Sequence, residues 1–490
     1  MSSTIRTPDF CKINCKTSRK TNHKTNAKTT QTSRRLPMLT TLAVGALLCT
    51  GLAFGAENWQ LPEELSDKLA GLQSSERNFV TNGSFLPFMP ARQMELELAN
   101  RDAASIQSLI SDLIAVAGEM GYDPSRDMGA MPLNVTANGF NTVLLPSILR
   151  DDKREPGPFS VHRYMFPESG IPTFAGAPVA VWPEDLTAGN VDVAIVGIPS
   201  DMSSGRRNAE AGPNVMRSLD TIAELDIQTL VDPMTVLTVV DYGDFRVDNM
   251  SIERSVEHVT SMVAETAGTN ATPMMVGGDT SILYPAVKGV AQTHGNGSFG
   301  LVHFSAHPDA RRDAVHTISD DQALFMLLDE GIINGSDLIT VGLRGNAATE
   351  TTLQWLQDNG VRYHTMAEVN RTGYNAVMER VVNELSALPE QLFVSIDVSV
   401  IDPGDMIAAG RVAANGLSIQ DVTSTVRYLC AARDIVGFEI TDMAPVLDLS
   451  RLSALNSNAV LNACLVGMAS RKAGFAPDAV HPLALDHGQD

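Results

Sequence analysis

From about residue 188 onward, seven short apolar, β-branched runs alternate with helix-like stretches: VDVAIVGIP, VLTVVDYGD, TPMMVGGD, FGLVHFSAH, LITVGLRG, QLFVSIDVSVID and DIVGFEITDMAP. The runs are apolar on successive residues and not on alternate ones. That pattern suits strands buried on both faces, with the intervening helices acting as parallel crossovers. The fold class that follows is α/β, built on one central, mainly parallel sheet. Nearly every run ends in Gly, Asp, His or Pro, which places polar groups at the carboxyl ends of strands, where open α/β sheets gather ligands. No GxGxxG or P-loop spacing occurs, so nucleotide binding has little support.

Charge narrows the choice of partner. Of 36 Lys and Arg and 57 Asp and Glu, residues 1–56 hold nine and one. The remaining chain has 27 basic residues against 56 acidic ones, a formal balance near −29 that argues against nucleic acid or an anionic membrane as partner. The basic residues of 1–37 run into MLTTLAVGALLCTGLAFGA at 38–56, the layout of an export signal. The h-region is too short and too rich in Gly and Ala for a membrane span, and no span is expected in the mature chain. SRRLPML at 33–39 resembles a twin-arginine motif, with Arg34 and Arg35 as the pair. The expectation is an exported protein, periplasmic or extracellular, whose mature chain starts close to Glu57. A start at Met38 or an organelle transit peptide are the alternatives. Residues 57–150 read as a helical extension, and 151–490 as the α/β domain. Cys430 and Cys464 lie in apolar, helix-like stretches and read as two buried small hydrophobes, in preference to a disulfide.

Six separated motifs carry the chemistry: GIPSDMSSGRRNAEAGPNVMRS (197–218), VVDYGDF (239–245), GGDTS (277–281), HFSAHPD (303–309), SIDVSVIDP (395–403) and TDMAPVLD (441–448). In order and spacing they resemble the arginase/agmatinase superfamily of ureohydrolases, and SGIPTF at 169–174 leans toward its agmatinase branch. The resemblance implies a three-layer α/β/α fold. It also implies a centre where two Mn²⁺ ions, held by two His and four Asp, share the hydroxide that attacks a guanidinium carbon and releases urea. Paired metals supply a strong nucleophile at neutral pH by lowering the pKa of bound water, and oxygen-rich ligation suits Mn²⁺.

Matched position by position, the ligand set is half kept. His307, Asp309 and Asp397 stand where ligands are implied, whereas Thr280, Ser305 and Ser399 occupy positions that hold a His and two Asp in the family. His316 matches the proton-shuttle His, and Asp442 matches the acidic residue that grips the guanidinium. The loop after Asp402 and Pro403 has become IAAGRVAANG at 407–416. A serine hydroxyl is a neutral, weak ligand. The remaining set is therefore expected to hold at most one Mn²⁺ or other divalent ion, weakly, or none.

Asp279 or Asp442 are candidate replacement ligands, and the three hydroxyls are a candidate polar-ligand pocket. His303 and His364 read as core or surface histidines, and Arg206 and Arg207 as solvated, oligomer-facing or anion-contacting. The leading expectation is an exported ureohydrolase-fold protein with impaired or lost two-metal chemistry, acting as a binding or assembly component. The alternative is an active agmatinase-like hydrolase that takes a small linear guanidino compound through a rebuilt site. Either way the resemblance implies a homotrimer or homohexamer.

Overall fold

The computed structural model describes residues 59–86, 88–89, 91–120, 155–161, 171–202, 208–219, 225–248, 250–312, 318–345 and 348–486. The expected export segment, Arg206, Arg207 and His316 lie outside the described residues. The chain divides into two compact units, one reaching to Ile110 and one from Ser111 onward.

In the first unit a 3₁₀ helix, Glu63–Leu69, is followed by α-helices Ser74–Thr81 and Ala91–Asn100 and by the opening turns of Ala103–Met120. Leu69, Val80, Phe85, Met94, Leu98 and Ile106 are buried. Their spacing along the helices gives each one apolar stripe. Trp59 stands edge-on to Phe85 with ring centroids 5.1 Å apart.

Among the described residues the second unit holds eight strands: β1 (Val193–Ile198), β2 (Val239–Asp244), β3 (Thr272–Gly277), β4 (Gly300–Phe304), β5 (Leu338–Leu343), β6 (Arg362–Thr365), β7 (Gln391–Asp397) and β8 (Asp434–Thr441). They form one sheet in the order β2-β1-β3-β8-β7-β4-β5-β6, and every pairing between them is parallel. Seven of these strands are the seven apolar runs. The eighth, β6, is an edge strand of sequence RYHT, too short and polar for hydrophobic patterning to disclose.

Val302, Phe304, Val394, Ile396, Phe438 and Ile440 point to one face of the sheet, where helices Tyr374–Leu385, Ile419–Ala432 and Leu452–Lys472 cover them. Val196, Ile198, Met275, Leu301 and Phe393 point to the other face, under helices Ile252–Ala267 and Leu283–His294. The result is the three-layer α/β/α arrangement, with a core on each side of the sheet. Leu452–Lys472 is long and apolar enough to cross a bilayer, but 67% of its apolar window is buried inside the protein. It packs against Ile419–Ala432, and there one expectation is corrected. Cys430 and Cys464 are joined in a disulfide, with Cα atoms 5.3 Å apart. Two cysteines buried on facing helices meet, and their separation of 34 residues along the chain gave no sign of it.

The loop after β7 is closed at its base and pinned at its tip. Ile401 and Leu417 form a parallel bridge, and Gly416 lies so close to the Asp402 backbone that a Cβ there would fall 2.4 Å from the Asp402 amide nitrogen. Further along, Gly410 N–H donates to Asp442 O at 2.8 Å and Ala444 N–H to Ala408 O at 2.7 Å. Arg344, just past β5, clasps both sides of this loop. It donates to the carbonyls of Ser399 at 2.5 Å, Val400 at 3.2 Å, Ala413 at 2.9 Å and Ala414 at 2.9 Å. Only a planar fork of donors reaches so many acceptors at once. Arg344→Lys is expected to cost about 2–3 kcal/mol, as partly buried carbonyls lose charge-assisted bonds. Urea unfolding measures that loss, and limited proteolysis should show new cleavage within 402–416. An unchanged midpoint would refute the clasp.

Candidate functional site

The four central strands, β3, β8, β7 and β4, deliver their carboxyl ends to one basin. β3 leads to Asp279 and Thr280, β8 to Asp442, β7 ends in Asp397 and runs on to Ser399, and β4 leads to Ser305, His307 and Asp309. All except His307 are buried. Asp309 and Asp442 have left-handed backbones, with φ of +43° and +71°. Non-glycine residues adopt that conformation at some energetic cost, usually where the surroundings fix it for a purpose. Here it turns both carboxylates inward.

What they meet is a side chain. Arg411, from the tip of the loop after β7, places its guanidinium in the middle of the basin with only 9% of the side chain exposed. Nη1 donates to Asp309 Oδ1 at 2.8 Å and Nη2 to Asp397 Oδ2 at 2.9 Å. Nε lies 3.1 Å from Asp320 Oδ2 in an ion pair without hydrogen-bond alignment. The main-chain N–H of Arg411 donates to Asp442 Oδ2 at 2.8 Å. Burial alone would raise the pKa of Asp309 and Asp397, but the Arg411 charge, helped by His303 and His307 respectively, holds both below the ordinary carboxylate range. Asp442 moves the other way. Burial and the nearby Asp397 charge push it well above its ordinary value. Burial opposes the Arg411 charge, but the surrounding aspartates outweigh it and raise that pKa well above the ordinary value.

The implied pair of divalent ions does not fit these residues. The three hydroxyls that stand at ligand positions are turned to other partners. Thr280 Oγ1 is 3.3 Å from Thr441 Oγ1. Ser305 Oγ donates to Asp397 Oδ2 at 2.9 Å and accepts from the His307 N–H at 3.0 Å. Ser399 Oγ is 3.3 Å from His307 Nδ1. Of the three kept ligand residues, Asp309 and Asp397 converge on the Arg411 guanidinium, and His307 Nδ1 lies 3.9 Å from Asp397 Oδ2. No group of three or more His, Cys, Asp or Glu side chains placed to hold a metal ion occurs among the described residues. Asp279, the candidate replacement ligand, accepts from the N–H groups of Ser281 at 3.0 Å and Met202 at 2.5 Å.

Beneath the basin a polar row crosses the sheet. His303 on β4 is in register with Ser395 on β7, and Ser395 with Glu439 on β8. Ser395 Oγ donates to Glu439 Oε1 at 2.6 Å and lies 2.9 Å from His303 Nδ1. His303 Nε2 is 3.1 Å from Asp309 Oδ2, so the row joins the Arg411 cluster. His303 is therefore a core histidine with a site role. His364 is held apart from it, between Glu368 and Glu384 at 3.0 and 3.1 Å. Sequence reasoning missed Arg411, Asp320 and Glu439. The available signals were a lone Arg in a run of small residues and a lone Glu inside an apolar strand.

The fold and this half-altered basin define the class of protein. The arginase family profile matches residues 191–467. More than half of the chain is covered, and the chain belongs to the arginase family of ureohydrolases. Mitochondrial agmatinase of Gallus gallus is 28% identical over 290 residues, which is 58% of this chain and 84% of that protein. The structure of proclavaminate amidino hydrolase from Streptomyces clavuligerus superposes with a TM-score of 0.57 at 24% identity, covering 62% of this chain and 98% of that one. Trypanosoma cruzi formiminoglutamase, solved with Mn²⁺, gives a TM-score of 0.52 at 21% identity, covering 58% and 95%. This chain has the fold of these proteins and lacks an intact metal-binding cluster among its described residues.

Glu439 supplies a pH test. It is fully buried, Oε2 has no hydrogen-bond partner among the described residues, and burial pushes its pKa from an ordinary 4.5 up to about 8. The folded state therefore binds a proton that the unfolded state gives up. The stability this provides is whole below the unfolded value and is lost as pH rises toward 8, by at most about 1.4 kcal/mol per pH unit. Glu439→Gln stays neutral at every pH, so its stability relative to wild type should improve between pH 5 and pH 8 in paired urea titrations. An equal difference at both pH values would show that Glu439 does not carry the proton.

Proposed function

We propose that this chain is a ureohydrolase-fold protein that has lost two-metal guanidino hydrolysis and serves as a binding or assembly component. One observation carries the reading: the Arg411 guanidinium stands among the carboxylates where the family's ions are implied. A guanidinium cannot lower the pKa of a bound water as a metal ion does, so Arg411 supplies no strong nucleophile at neutral pH where the family's ions would. Protein incubated with Mn²⁺ and desalted is expected to retain fewer than two ions per chain, and to release no urea from agmatine or other linear guanidino compounds. Two tightly held ions would overturn this reading, and urea release abolished by His307→Ala would establish the agmatinase-like hydrolase.

The same reading includes export and assembly. The Cys430–Cys464 disulfide supports an oxidising compartment, in line with the export signal expected over residues 1–56. A body near −29 raises the self-repulsion of an oligomer, screened over a Debye length of roughly 8 Å at physiological salt. A trimer or hexamer must bury enough apolar interface to exceed that repulsion. Light scattering at two ionic strengths is expected to give a trimer or hexamer at both. The intact mass of protein taken from its own cells should place the N-terminus close to Glu57. A monomer at both salts, or an intact Met1, would remove the corresponding part.

A further inference from the structure

The geometry around Arg411 is that of a receptor and its ligand. Its three nitrogens face three different carboxylates, those of Asp309, Asp320 and Asp397, and its own amide takes a fourth, Asp442. These four residues come from the ends of β4, β7 and β8 and from the turn at Asp320, so one cation ties together segments that are far apart in the chain. The loop that delivers it is pinned at Gly410 and Ala408 and clasped by Arg344, which fixes the backbone that carries the guanidinium. Ser305 Oγ lies 2.9 Å from Asp397 Oδ2 and 3.3 Å from Asp309 Oδ2. A carboxylate at that position would add a further negative charge beside Asp309 and Asp397, which the hydroxyl avoids.

We propose that Arg411 is the resident cation of this protein. Its guanidinium does the bridging and charge-neutralising work of a metal centre, and the strand-end aspartates form a guanidinium receptor satisfied by the chain itself. The inference deepens the loss of two-metal chemistry proposed above and rests on it. An arginine suits the role better than a lysine because its planar fork meets several carboxylates in fixed directions, whereas an ammonium is a single point charge. Removing it leaves buried aspartates without the guanidinium that faces them, and this is a costlier change than losing an exposed ion pair.

The test uses the full-length protein and its variants in thermal melts. Arg411→Ala is expected to lower the melting temperature by about 5 °C or more. Millimolar guanidinium or methylguanidinium should return at least half of the loss, and potassium chloride at equal ionic strength should not. Mn²⁺ should leave wild type unmoved, and a rise in Arg411→Ala alone would also support the proposal, since it would show that Arg411 keeps the ion out. Arg411→Lys should melt below wild type with no response to free guanidinium, and it stands in if Arg411→Ala does not fold. The proposal is overturned if Arg411→Ala or Arg411→Lys is as stable as wild type. It is equally overturned if guanidinium does no more than potassium chloride for Arg411→Ala while Mn²⁺ restores nothing, or if Mn²⁺ stabilises wild type and variant alike. Metal retention and urea release by the wild type decide the proposed function separately, so a failure of this inference is told apart from a failure of that reading.

Discussion

One guanidinium among buried carboxylates organises the functional end of this molecule. Four aspartates brought to one basin would repel one another strongly in a low-dielectric interior, and each would bear a desolvation cost if left bare. Arg411 offsets both effects for Asp309 and Asp397, while Asp442 is pushed toward its neutral form. The sheet supplies the rest of the condition. Parallel strands in the order β3-β8-β7-β4 place the relevant ends side by side, and the loop after β7 returns over them to deliver the arginine.

The polar row beneath the basin couples that cluster to the centre of the fold. Glu439, Ser395 and His303 lie on three adjacent strands at the same level, all buried. Hydrogen bonds inside a low-dielectric core are strong when satisfied and costly when broken. The row therefore fixes the lateral register of β8, β7 and β4 more tightly than apolar packing would. His303 links it to Asp309, which in turn holds Arg411, so the position of the guanidinium depends on residues well below it.

Much of the fold was legible because buried parallel strands are continuous apolar runs. β6 escaped because an edge strand needs no such run. The motifs located the strand-end residues, and His307, Asp309, Asp397, Ser305 and Ser399 do come together. Their common partner was hidden for a physical reason: Arg411 is 102 residues from Asp309 and 14 from Asp397, and a long cation in a loop of small residues ordinarily faces solvent. Glu439 and His303 were visible as polar residues inside apolar strands. Their meeting depends on strand order and register, which local sequence does not contain. The disulfide was hidden in the same way, since helical cysteines reveal nothing of which helices pack together.

The pinned loop has a consequence in terms of mass action. A metal centre is filled to the extent that free metal exceeds its dissociation constant, so a protein that relies on one becomes less stable when the ion is scarce. A cation built into the chain has no such dependence. Its effective concentration is set by the loop that carries it, and it stays the same wherever the protein is found. The carboxylate basin at the strand ends thus receives its cation at translation and in fixed stoichiometry, as a side chain of the same polypeptide.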